Sequence, residues 1–202
     1  MVTRLAAGLA ASFLLMSAEL SAAVAAWTDV VVRVYDTTGL AGPSQQRALT
    51  AASTALVTAS VDVVWIDCAA RSGACEAPPA PRELIVRLVN GRAPADRERL
   101  SLGDAFVGAG AHRGVLATVY VDRVRRLAAT LSTDEAVLLG RAIAHELGHL
   151  LTGTGTHARV GLMRGKWTWE EIRRERREDW RFGAAEAARI RARAKFEVRG
   201  IK

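Results

Sequence analysis

Three residues in this chain have the types and spacing to bind a metal ion and activate water: His145, Glu146 and His149, in the run His145-Glu146-Leu147-Gly148-His149. Two imidazoles four positions apart share one face of an α-helix, separated by about one turn or ~6 Å of rise. Both ring nitrogens can then reach one divalent ion at about 2.0–2.1 Å. Glu146, one position on from the first imidazole, can hold or deprotonate a water at that ion. A catalytic zinc site usually has three protein ligands and one open position. The chain has four histidines, His112, His145, His149 and His157. His157 follows Gly153-Thr154-Gly155-Thr156, which reads as a tight turn able to bring it back beneath the helix. The competing third ligand is a carboxylate from Glu170 or Glu171, presented by a later helix.

A helix must carry the pair, and the signals for one are present. Ser132-Thr133-Asp134-Glu135 supplies caps and early acids. Ala136, Leu138, Leu139, Ala142, Ile143, Leu147, Leu150 and Leu151 repeat with helical period, and Thr152-Gly153 ends the run. Upstream, strands are expected at 29–36 (DVVVRVYD), 61–67 (VDVVWID) and 83–89 (ELIVRLV). A short strand is expected at 105–107 and a clear one at 114–122 (GVLATVYVD). Residues 44–59 read as a helix, and 123–130 as a helical start before the HExxH helix. Downstream, 168–182 and 184–196 are helical in character, with Trp169, Ile172 and Trp180 as anchors of the first. The fold class is α+β, a mixed α/β arrangement with one sheet of four or five strands.

The segment from His145 to Met163 resembles the metzincin clan of zinc metallopeptidases. His145, Glu146, His149, Gly153, His157 and Met163 match, in order, its HExxH helix, glycine turn, third histidine and methionine turn. The chain looks closest to small secreted bacterial peptidases with HELGHLL, a histidine, then GIM or GLM. The clan's usual pattern is HExxHxxGxxH; here the glycine and histidine come four and eight residues after His149. The resemblance implies a twisted mixed sheet packed on a backing helix and an active-site helix, followed by a small, mostly helical C-terminal part. It also implies one catalytic Zn²⁺ held by His145, His149 and His157, Glu146 as general base and acid, and Met163 packed beneath the site without coordinating. An extended peptide would pair with an edge strand above the cleft, here 105–107 or the loop 108–114 with its glycines 108, 110 and 114. His112 lies in that loop, where a solvated side chain is its default role. No tyrosine follows Met163, and Arg164 is the nearest candidate to assist an oxyanion.

Residues 1–26 read as a secretory signal peptide. Arg4 precedes the apolar stretch 5–18, Glu19 ends it, and Ala23-Val24-Ala25 offers small residues for cleavage. The remaining 27–202 is expected to be a single domain: 27–153 forms the sheet and active-site helix, and 154–202 carries the third ligand, the methionine turn and basic helices. A secreted or periplasmic chain with only Cys68 and Cys75 is expected to pair them. From Arg164 to Lys202 there are thirteen basic and seven acidic residues, which accounts for most of the net charge of +7. Runs such as Glu171–Arg174–Glu175–Glu178 read as a solvated face of mixed sign. Contact with an anionic surface is the functional alternative for this region. Nucleic acid is not an expected partner. Secreted zinc-dependent endopeptidase is thus the leading reading; a zinc-binding scaffold of weak activity and a surface-binding module are the alternatives.

Overall fold

The computed structural model of the chain describes residues 28–68, 73–80, 83–91, 101–108 and 114–199. The expected signal peptide, Gly110 and His112 lie outside the described residues. Among the described residues there are five strands: β1 (Thr28–Asp36), β2 (Val61–Asp67), β3 (Glu83–Val89), β4 (Gly103–Phe106) and β5 (Leu116–Tyr120). The helices are α1 (Gly42–Val57), the single turn α2 (Gly73–Glu76), α3 (Val121–Leu131), α4 (Glu135–Thr152), α5 (Trp169–Arg174) and α6 (Ala184–Arg199). The fold is a mixed α/β arrangement, as its class was read.

The sheet runs in the order β2-β1-β3-β5-β4. Its first four strands are parallel, and β4 pairs antiparallel to β5 at one edge. Alternate residues of β1 and β3, namely Val30, Val32, Val34, Leu84, Val86 and Leu88, are buried. They face α1 and α4, which pack beside one another on that side of the sheet; α1 lies near β2, and α4 crosses β5 and β4. One cluster of buried side chains runs from Val30 through Leu139 and Ile143 to Ile190. A three-layer arrangement would need apolar residues on both faces of the sheet. Here the opposite face of β1 carries Arg33, ion-paired with Glu83 at 2.6 Å, and Tyr35, whose hydroxyl donates to the Cys75 carbonyl at 3.2 Å.

Gly140 lets α1 and α4 approach closely. A Cβ there would meet the Ala51 methyl at 2.6 Å and the Ala52 backbone nitrogen at 2.9 Å, and neither backbone has room to yield. Gly140→Val is therefore expected to destabilise the chain by about 3 kcal/mol through overpacking, measured by urea unfolding. An unchanged midpoint would contradict the close helix contact.

Two of the differences from the sequence expectation have a plain physical reason. The last strand ends at Tyr120 because Val121 and Asp122 already belong to α3. The region 168–182 is not one helix: Glu175 adopts a left-handed conformation (φ 48°), which ends α5 before a 3-10 turn at Arg177–Trp180. Trp169 is 66 % exposed and does not anchor the region, whereas Ile172 and Trp180 are buried. Cys68 and Cys75 form a disulfide with Cα atoms 5.8 Å apart. No helix of the described residues is long and apolar enough to cross a membrane.

Candidate metal centre

Helix α4 starts where Asp134 accepts a hydrogen bond from the Val137 N–H at 3.1 Å, satisfying one of the free donors of the first turn. The helix ends at Gly153, whose left-handed φ of 67° is easily adopted only by glycine. The Gly153 N–H returns to the His149 carbonyl at 2.9 Å. His145, Glu146 and His149 therefore lie in the last turns of a buried helix, all three with little solvent exposure.

The ligand atoms of His145, His149 and His157 lie within 4.8 Å of one another, close enough together for the three to take up a metal ion. Gly153 turns the chain, and 154–157 carries the exposed His157 back to the pair. The rival carboxylates are engaged elsewhere. Glu171 accepts from the Thr168 N–H at 2.7 Å and the Thr168 hydroxyl at 2.8 Å in a capping box, and it also pairs with Arg164. Glu170 lies on the exposed side of α5, 3.7 Å from Arg174. Arg164 is thus held by Glu171 rather than free to serve an oxyanion.

The protonation pattern of the two helix imidazoles follows from their partners. His145 Nδ1 lies 2.8 Å from the Leu162 carbonyl, and His149 Nδ1 lies 2.8 Å from the Thr154 carbonyl. A carbonyl only accepts, so each Nδ1 carries the hydrogen and each neutral ring presents a bare Nε2 lone pair. Those two Nε2 atoms face one another at 3.1 Å. Two lone pairs at that distance repel unless a proton or a cation lies between them. Burial holds the His145 pKa down at about 4, and it also lowers that of His149, so a shared proton is disfavoured at neutral pH. The donor set, with its backbone partners fixing the tautomers, fits a divalent ion.

Glu146 is buried, and that burial, with the Asp104 charge second, pushes its carboxyl up to about 8. Edge strand β4 covers it: a Cβ on Gly103 would meet Glu146 Cγ at 2.7 Å. Gly103 was not singled out by the sequence, because the close approach comes from the crossing of β4 over α4 and leaves no local signal. The expected edge strand is present, but it begins two residues earlier than 105–107 and ends at Phe106, itself 68 % exposed. Gly108 and Gly114 flank the loop beyond it, and the Gly114 N–H closes that loop on the Val107 carbonyl at 3.0 Å. Met163 is 2 % exposed and packs its sulfur beside Gly148, between the two helix histidines in the sequence, next to Phe182.

These shifts set the pH dependence expected of the chelated protein. His145 has its folded pKa depressed below 6.5 to about 4, so its contribution is full above pH 6.5 and lost as pH falls towards 4. Glu146 has its folded pKa raised from 4.5 to about 8, so its contribution is full below 4.5 and lost as pH rises through 8. Between 4.5 and 6.5 the two oppose each other. From 6.5 to 8 only Glu146 remains, and stability is expected to fall with a slope approaching 1.4 kcal/mol per pH unit, on the order of one proton. Urea unfolding after chelation checks this, and a stability that rises across that interval would contradict it.

No protein-family model matches the chain, and none of the curated proteins matches it. The site's residues therefore carry the functional reading.

Proposed function

We propose that the protein is an exported zinc-dependent endopeptidase of metzincin type. One observation carries the reading: two buried imidazole lone pairs face each other at 3.1 Å, closed by a third histidine and adjoining a buried carboxyl. His145, His149 and His157 hold the ion. When bound, zinc supplies Lewis acidity at that point, lowering the pKa of a coordinated water to about 7 and polarising a carbonyl. Glu146 takes the proton of the attacking water and returns it to the departing amine. The Glu146 carboxyl is buried and follows the first of the three histidines directly, so a proton can pass to it and back within one site.

Substrate geometry follows from β4. It pairs with β5 on one side only among the described strands, which leaves its other edge open on a strand whose Gly103 lies over Glu146. An extended peptide can add there as a further strand, its backbone fixed by main-chain hydrogen bonds. Met163 supports the floor of the site by packing against the helix between the ligands. The disulfide, which persists in oxidising compartments, and the charged, apolar and small-residue order of 1–26 support export. An enzyme suits the site better than a structural zinc centre, which would normally close its sphere with four protein ligands; three histidines gather here, and a carboxyl stands beside the position they leave.

The test is cleavage profiling of a diverse peptide library by the purified chain, with and without a zinc chelator. Internal peptide bonds should be cut, activity should vanish on chelation, and zinc should restore it. Cleavage that persists in chelator, or a zinc-loaded chain that cuts nothing, would contradict the proposal.

A further inference from the structure

Beside the three histidines and Glu146, one more side chain reaches the site from the segment after the Met163 turn. Trp167 donates its Nε1–H to the Leu162 carbonyl at 3.1 Å. That oxygen is the one that receives His145 Nδ1 at 2.8 Å. A carbonyl oxygen has two lone pairs, and these two donors use both. Trp167 also meets the His145 ring edge-on, with centroids 5.6 Å apart and planes at 88°, within the favoured range for such pairs.

Trp167 is itself held from behind. Trp180 packs against it at 5.1 Å and 81°, and the Arg141 guanidinium sits 3.9 Å over the Trp180 ring. Arg141 and His145 are one helical turn apart on α4. The column Arg141–Trp180–Trp167–His145 therefore leaves the helix and returns to it one turn later. Trp180 and Arg141 are both buried, so the rings behind Trp167 have little freedom to move.

We infer that Trp167 is a positioning residue for the first metal ligand: it fixes the Leu162 peptide so that His145 keeps its Nδ1–H tautomer and aims Nε2 at the shared point. The inference rests on reading His145 as a metal ligand. Its physical content is pre-organisation. With the indole N–H gone, one lone pair of the carbonyl loses its partner, the peptide is free to tilt, and the imidazole plane loosens with it. Groups that orient a metal's ligands in this way typically alter its affinity by about 10- to 100-fold. No local signal singles out Trp167, since its partner is a backbone carbonyl and its neighbours come from α4 and the 3-10 turn.

The test uses the full chain and zinc alone. Trp167→Phe keeps an aromatic ring and removes the indole donor, and the melting temperature reports on the packing lost with the second ring; Trp169→Phe, at the exposed tryptophan two residues on, is the control. Zinc affinity is measured by competition with a chromophoric chelator, and melting of the chelated form is measured in parallel. Trp167→Phe should weaken zinc about tenfold or more with the melting temperature of the chelated form retained, and Trp169→Phe should match the wild type. Affinity within about twofold of wild type would overturn the inference, as would a loss that only tracks a collapse in melting temperature. A second measurement needs no variant: zinc should shift the Trp167 indole N–H resonance of the wild type and slow its exchange with deuterium, leaving Trp169 unmoved. An indole signal of Trp167 as indifferent to zinc as that of Trp169 would also overturn it. Wild-type protein that binds no zinc removes the metal reading and this inference together; wild type that binds while Trp167→Phe binds equally removes this inference alone.

Discussion

Replacing Glu146 by glutamine is expected to lower zinc-dependent peptide hydrolysis by about a thousandfold while leaving zinc content intact. The amide has the shape of the carboxyl but can neither take the water's proton nor return it to the leaving amine, and general acid–base catalysis typically contributes about 10²–10⁴-fold. Glu146 is no member of the ligand cluster, so metal affinity should change little. The same variant has a second signature in the chelated protein. Because the carboxyl is raised to about 8 by burial, glutamine removes the titrating group, and the decline in stability between pH 6.5 and 8 should disappear with it. Hydrolysis and pH slope thus report on one side chain through independent measurements. Retained activity in Glu146→Gln would contradict the mechanism, whatever the zinc content.

The second large effect falls on the third ligand. His157→Ala should weaken zinc binding by roughly a hundredfold to a thousandfold, because the total affinity of a zinc site, about 10–16 kcal/mol for a four-ligand site, is shared among few ligands. The paired change Glu170→Ala with Glu171→Ala should leave zinc affinity unaltered. It should cost stability instead, since Glu171 closes the capping box of α5 with Thr168 and pairs with Arg164. A cap of this kind is worth about 1 kcal/mol. Isothermal titration of both variants separates the two ligand assignments. The opposite ranking, with zinc lost in the carboxylate pair and kept in His157→Ala, would place the third ligand on α5.

Much of this arrangement was legible in the sequence where one local rule sufficed. β2 and β3 were read at their observed bounds because valine-rich runs between breaking residues have a single good solution. The HExxH helix was legible from its period and its stop: Asp134 caps it and Gly153 ends it, each for a reason visible within a few residues. The gathering of His157 with the helix pair was legible from the glycines between them, even though the spacing departs from the usual one. What escaped depended on contacts between distant segments. Gly103 matters only because β4 crosses Glu146, and Trp167 only because it shares a carbonyl with His145. Trp169 was read as an anchor because its type suggests burial, yet it is the first residue of α5 and stays exposed, while Ile172 and Trp180 take the interior places. The break at Glu175 was missed because a left-handed glutamate has no strong sequence signature.

Zinc K-edge absorption on the purified, zinc-loaded chain tests the central claim most directly. One equivalent of zinc is predicted, with a first shell of nitrogen and oxygen at about 2.0–2.1 Å and the outer-ring scattering of three imidazoles. A chain that remains metal-free when folded, or a spectrum with fewer than three imidazoles around the ion, would contradict it.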